Sequence, residues 1–191
     1  MSLDPPSRIH GIVLAAGAST RMGRLTTLLP VRGATLLASA VTPLLEAGLE
    51  RVVVVLGHQA DAVRGGAGLP EDPRVAFCVN DDWPSGLSSS LRAGLEACAD
   101  ADAVVIGLGD QPKLSAEVIR SLVQAAASGA PLAVPMRTGR VGHPILFQRE
   151  LFGELGQLSG DAGAREVARR HIDRAAIVAC ELPGDLDTEA D

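Results

Sequence analysis

Tyrosine is absent from this 191-residue chain, and its only aromatic side chains besides the histidines are Phe77, Phe147, Phe152 and Trp83. Because 47% of the residues are nevertheless hydrophobic, the core must be built from Ala, Val, Leu and Ile, the usual filling of a parallel α/β sheet. Lysine is almost missing too, with Lys113 alone against sixteen arginines, and the formal net charge is −6. Without a broad basic surface, general binding to nucleic acid or to an anionic membrane is excluded. Cys78, Cys98 and Cys180 are widely spaced and odd in number, with no CxxC pair. That usage suits a reducing compartment, and a cytoplasmic location is expected. No apolar run approaches the ~18 residues of a membrane span, and the opening MSLDPPSR has no apolar signal core.

What is present centres on Ile9 to Pro30, IHGIVLAAGASTRMGRLTTLLP. Ile12, Val13 and Leu14 end a buried-strand run, and Ala15, Ala16, Gly17 and Ala18 follow with almost no side-chain bulk. Backbone amides there can approach a polyanion closely, and Arg21 and Arg24 bring guanidinium groups that suit triphosphate binding. An ordinary strand-to-helix turn with solvated arginines is the plainer alternative.

Strand and helix signals then alternate along one expected domain, residues 1–191, long enough to bury about 70% of its unfolded surface. Helices are expected at Ala34 to Ala47 (with a kink or interruption at Pro43), His58 to Ala67, within Trp83 to Ala97, from Ser115 to Ala127, at Gln148 to Leu155, and in another opened by Gly160 to Arg165 and running through Arg170. Strands are expected at Arg51 to Leu56, Arg74 to Val79, Ala101 to Leu108, Pro131 to Met136 and Ala175 to Cys180. Such alternation implies a three-layer α/β sandwich with a mostly parallel sheet. Ala101 to Leu108 delivers Gly109, Asp110 and Gln111 at its carboxyl end, where open α/β sheets place ligands. Ser88, Ser89 and Ser90 are expected to offer open hydroxyls and amides at a positive helix end.

Five blocks together resemble the MobA-like nucleotidyltransferases, and within them the MocA-type molybdenum cofactor cytidylyltransferases. They are LAAGASTRMG with LLP, NDDWPSGLSSSLRAGL, GDQP, GHPILF with GDAGAR, and DLDT, in the family's order across nearly the whole chain. The resemblance implies a Rossmann-like, nucleotide-diphospho-sugar transferase-like fold with a mixed, mostly parallel sheet. It also implies Mg²⁺ as cofactor, held by Asp110 and Asp187, with Arg21 and Asp110 as catalytic residues. Leu14, Ala15, Ala16, Gly17, Ser19, Arg21, Gly23, Thr26, Asn80, Gly86, Ser88 and Asp110 are carried over as nucleotide-binding. Ser89, Arg92, Gln111, His143, Asp161 and Arg165 are carried over to the acceptor side. The LAAG form of the loop, with Ala16, resembles cytidylyl members rather than guanylyl ones and points to CTP over another NTP.

The implied partners are this nucleotide, a phosphorylated pterin-type acceptor and a molybdoenzyme. The implied reaction transfers CMP from CTP to a phosphate such as that of molybdopterin, releasing pyrophosphate. Mg²⁺ prefers few carboxylates plus water and phosphate oxygens, which suits two aspartates. Asp110 could instead cap its turn, Asp187 could be a solvated charge, and the serine block could be a well-capped helix. His143 and Arg165 remain open between substrate contact and structure.

Two departures from the family pattern stand out. Family members read RMGxxKxLLP, whereas here Thr26 occupies the lysine position. Losing one oriented donor at a site of developing charge costs on the order of 3 kcal/mol, roughly a hundredfold in rate. A weakened carrier of nucleotide or pterin is therefore the alternative to a transferase. A redox enzyme acting on pigment-like heterocycles ranks third, since no complete GxGxxG pattern is present. The family usually continues into a helix after DLDT, so a short form with Asp187 near a mobile end is expected.

Overall fold

The computed structural model describes residues 7–18, 25–31, 33–111, 115–137 and 139–180. Strand β1 (Ile9–Ala15) is the hub of the sheet, pairing in parallel with β4 (Arg51–Leu56) on one side and β6 (Ala103–Leu108) on the other. Strand β5 (Val75–Val79) lies parallel beyond β4. On the other side β9 (Ile145–Gln148) runs antiparallel between β6 and β7 (Leu132–Arg137), and β10 (Ala176–Ala179) closes that edge parallel to β7. The order is β10-β7-β9-β6-β1-β4-β5, with β8 (Arg140–Val141) forming a hairpin on β7. This is the mixed, mostly parallel sheet expected.

Successive side chains of a strand face opposite ways, and in β1 both ways lead into core. Val13 and Ala15 join Leu37 and Leu44 of α1 (Leu36–Glu46), Val63 of α2 (Ala60–Gly66), and Ile119 and Leu122 of α4 (Ala116–Ala126). Ile12 and Leu14 join Leu91 and Leu95 of α3 (Leu87–Ala97), Leu155 of α5 (Phe152–Gly156) and Val167 of α6 (Ala164–Arg170). Three layers result, and continuous apolar runs replace alternation because both faces of the sheet are covered. Gly94 lets α3 lie close on the sheet, since a Cβ there would stand 2.6 Å from Ile12 Cγ2 and 3.1 Å from Val55 Cγ2.

Four local expectations are corrected. Helix α1 begins at Leu36, because Ala34–Thr35 (β3) pairs antiparallel with Pro30–Val31 (β2). Thr35 then caps the helix, its side-chain oxygen accepting from Ala38 N–H at 3.0 Å. Pro43 does not interrupt that helix, which continues to Glu46; one missing N–H three residues from its end removes a single ladder bond. Helix α2 starts only at Ala60, because Gln59 adopts a left-handed conformation (φ 51°, ψ 43°). Ile145–Gln148 forms a strand, β9; the sequence reading leaves Ile145 to Phe147 unassigned and gives Gln148 to the following helix.

At the amino end of the sheet, away from the crevice, the Asp102 carboxylate accepts from Ser7 Oγ at 2.8 Å and from Arg8 N–H at 3.0 Å. The Ser7 hydrogen bond, followed by those from Arg8, holds its pKa down at about 2. Cys78, Cys98 and Cys180 are free thiols, and burial pushes the Cys98 thiol up to about 12, leaving it a small hydrophobe. Among the described residues no helix is long and apolar enough to cross a membrane.

Candidate active site

The chain leaves β1 for β4 on one side of the sheet and later returns as β6 on the other. Such a switch in strand order opens a crevice at the carboxyl ends. Three backbone hydrogen bonds hold the loops there in register: Gly109 N–H to Leu14 O at 2.9 Å, His58 N–H to Ala16 O at 3.0 Å, and Asn80 N–H to Leu56 O at 2.8 Å. Leu14, Ala15 and Ala16 are buried, whereas Gly17 is exposed, and a Cβ built on it would meet nothing within 4 Å. The hollow above Gly17 is thus unobstructed by described side chains. Gly109 fits closely beside β1, its virtual Cβ 3.0 Å from Ala15 Cβ, and delivers Asp110 to the surface as an exposed carboxylate. Gln111 is partly buried, its N–H reaching Leu108 O at 3.4 Å.

The positions Ser19, Arg21, Gly23 and Asp187 lie outside the described residues. No cluster of three or more His, Cys, Asp or Glu side chains suited to a metal occurs among the described residues. Asp110 by itself offers the hard oxygen donor that Mg²⁺ uses together with phosphate oxygens and water, so the residues present fit that ion with one protein ligand from the described part of the chain. Thr26 opens a short 3-10 turn, Thr26–Leu28, and is half-buried.

The serine block is arranged differently from the open helix end expected. Ser88, Ser89 and Ser90 are all buried. Ser89 Oγ donates to Asp82 O at 2.9 Å or Gly86 O at 2.8 Å and accepts from Asn80 Nδ2 at 2.8 Å, while Ser90 Oγ accepts from Asn80 Nδ2 at 3.1 Å. Asn80 Oδ1 in turn accepts from Asp82 N–H at 3.0 Å. The amides are occupied as well: Ser88 N–H donates to Gly160 O at 3.0 Å and Ser89 N–H to Gly86 O at 3.2 Å. Arg92 donates to Leu158 O at 2.9 Å. This block therefore fixes the loop of residues 158–163 against the start of α3. Gly86 makes the fit possible, since it sits at φ 114°, ψ 176° and its virtual Cβ would lie 2.4 Å from Gly160 C and O.

That docking shapes a cavity of about 300 Å³ lined by Leu14, Leu87, Ile106, Leu108, His143, Asp161, Ala162, Gly163, Ala164, Arg165, Glu166 and Arg169. It unites the GHP and GDAGAR blocks with the ends of β1 and β6. His143 lies where β8 gives way to β9, 8% exposed, with Nδ1 3.4 Å from Ile106 O. Burial, reinforced by the nearby Arg165 charge, pushes its pKa down to about 4, so the ring is neutral. Arg165 Nε is buried without a hydrogen-bond partner. Glu166 is engaged by Arg170, its neighbour one turn on.

Sequence reasoning missed Arg169, although it lies four residues after Arg165 and so shares its helix face. It also missed the cluster beside the opening loop. There His58 meets Trp83 edge-on with ring centroids 5.1 Å apart, and His58 Nε2 is 3.1 Å from Gln59 Nε2. Gly57 permits this contact, its virtual Cβ standing 2.7 Å from Trp83 Cβ and 2.8 Å from Ala16 O. The signal was the apolar strand ending in Gly-His-Gln.

A family model for the MobA-like NTP transferase domain matches residues 11–175, from β1 to the residue before β10. The chain belongs to that family. Among curated relatives it is 38% identical to the nicotine blue oxidoreductase of Paenarthrobacter nicotinovorans, over 94% of this chain and 92% of that protein. It is 28% identical to the molybdenum cofactor cytidylyltransferase of Escherichia coli K12, over 75% of this chain and 71% of that one. Among solved structures, Rv0371c of Mycobacterium tuberculosis H37Rv superposes with a TM-score of 0.79 at 33% identity, covering 95% of this chain and 93% of that one. A second structure of Rv0371c, in complex with manganese, gives a TM-score of 0.76 at 32% identity, with 96% and 95% covered. As a MobA-like NTP transferase domain, the chain has the nucleotide-diphospho-sugar transferase type of fold expected of it.

Proposed function

We propose that this protein is a single-domain, Mg²⁺-dependent nucleotidyltransferase that moves CMP from CTP to a phosphate on a pterin-type acceptor and releases pyrophosphate. The observation that carries the reading is the crevice itself. An unobstructed small-residue turn, Ala15 to Gly17, stands across the Gly109 to Leu14 hydrogen bond from exposed Asp110, and a half-open cavity is lined by Leu14 and Leu108 at the ends of the same two strands. Similarity to a protein named molybdenum cofactor cytidylyltransferase supports the nucleotide and acceptor classes. The manganese complex of a similar structure supports a divalent ion.

In this reading the loop amides and Arg21 bind the diphosphate that leaves, and Asp110 with Asp187 would hold the ion. Bound there, Mg²⁺ would neutralise charge on the phosphate oxygens. The chain's own contribution is positioning: Gly17 lets the triphosphate approach the backbone, and the apolar walls of the cavity exclude water from the acceptor. An acceptor phosphate has a second pKa near ~6 and arrives already nucleophilic. Neutral His143 is not required as a base.

The test is pyrophosphate release with Mg²⁺, CTP and molybdopterin, comparing wild type with Thr26→Lys and CTP with GTP. Turnover with CTP, raised by roughly a hundredfold in Thr26→Lys, is expected. No turnover in either protein despite measurable binding supports a carrier instead. The 38% identity to a protein named nicotine blue oxidoreductase favours one second reading, a reductase for pigment-like heterocycles. Consumption of a nicotinamide cofactor with such a pigment, and no pyrophosphate release, would establish it.

A further inference from the structure

The polar end of the 300 Å³ cavity carries an unusual combination, a buried histidine beside an arginine with an unused donor. A backbone carbonyl can only accept, so the contact of His143 Nδ1 with Ile106 O at 3.4 Å places the ring proton on Nδ1. In the neutral ring Nε2 is then a lone-pair acceptor. The chemistry of the ring supports that state, because burial and the Arg165 charge both oppose a second proton. Arg165 Nε has the opposite need, a buried N–H with nothing to donate to. Such groups are rarely left unsatisfied in a native protein, and a ligand is one way to satisfy them. Of the other lining residues, Leu14, Leu87, Ile106 and Leu108 give an aliphatic wall that suits a flat ring, while Asp161, Glu166 and Arg169 are charged.

We infer that His143 and Arg165 together read a lactam edge: a ring N–H donates to His143 Nε2 while the adjacent ring carbonyl accepts from Arg165. The cavity is thereby a specificity site for an oxo-heterocycle with a free ring N–H. Arg169, on the same face of α6, stands ready for an anionic substituent of that ring. This deepens the transferase reading, from which it takes only that the acceptor lies here.

The experiment uses the full chain without nucleotide or metal, so it succeeds or fails independently of the transfer reaction. Hypoxanthine, with one N–H beside a carbonyl, and 1-methylhypoxanthine, in which a methyl replaces that N–H, are titrated by calorimetry. Inorganic phosphate is titrated in parallel. The expected result is that hypoxanthine binds at least tenfold more tightly than its methylated form, and that the difference disappears in His143→Phe. Equal binding of the two rings, or no ring binding at millimolar concentration with or without phosphate binding, would overturn the inference. If His143→Phe does not fold, as circular dichroism will report, the wild-type comparison of the two rings decides the matter.

Discussion

Replacing Gly86 with alanine tests whether the contact between the start of α3 and the loop of residues 158–163 is what shapes the acceptor cavity. At φ 114°, ψ 176° the residue occupies a region essentially restricted to glycine, where a side chain costs on the order of 1–3 kcal/mol of backbone strain. The added methyl would also stand 2.4 Å from the carbonyl carbon and oxygen of Gly160, backbone atoms that cannot rotate aside. Overpacking of this kind adds roughly 1–3 kcal/mol. The loop must then shift, and the bond from Ser88 N–H to Gly160 O, 3.0 Å long, lengthens or breaks. A loss of about 4 kcal/mol is expected from urea unfolding, the middle of the summed range. Acceptor binding should weaken more than CTP binding, because Asp161 and Arg165 follow the displaced segment while the Ala15 to Gly17 turn does not. A destabilisation under about 0.5 kcal/mol, in the range of an ordinary surface change, would refute the reasoning.

Further outcomes follow from the same structure. The folded pKa of His143, about 4, lies below its unfolded value of 6.5, so the unfolded chain binds more protons between those values. Stability should therefore fall as pH drops from 6.5 towards 4, by roughly 3 kcal/mol at most, and His143→Gln should flatten that slope in urea titrations. Asp102 acts in the same sense in a lower window: its pKa is depressed from 3.8 to about 2, so its contribution is complete above 3.8 and is lost as pH falls through 2. Asp102→Asn should lower stability at pH above 3.8, and the difference from wild type should vanish as pH falls through 2, read from urea unfolding at a series of pH values. Arg92→Met removes the donor to Leu158 O at 2.9 Å, a bond from a charged group, and should destabilise by about 1.5–3 kcal/mol in thermal unfolding. Gly94→Ala brings a methyl to 2.6 Å from Ile12 Cγ2 and should cost about 1–3 kcal/mol in urea unfolding.

The strands that lie between two helical layers were readable because burial on both faces leaves a continuous apolar run. Arg51–Leu56 is bounded as the sequence reading has it. Strand β9 escaped notice because its four residues follow His143-Pro144 and are defined by partners on β6 and β7 remote in sequence. The same limit explains the serine block. Its composition speaks of an open helix start, but the carbonyl that occupies Ser88 N–H comes from Gly160, on a loop after α5. Composition could show that Gly86 was special and not what pressed against it. The GHP and GDAGAR blocks were legible as motifs, whereas the tautomer of His143 follows only from the position of the Ile106 carbonyl.

The central claim is that the carboxylate at the end of β6 works on a nucleoside triphosphate held by the opening turn. Its most direct test is the rate of pyrophosphate release from CTP by Asp110→Asn, a neutral side chain of the same shape, beside wild type under saturating Mg²⁺ and acceptor. The account predicts a fall on the order of a hundredfold or more with the melting temperature unchanged. A rate within twofold of wild type would contradict it.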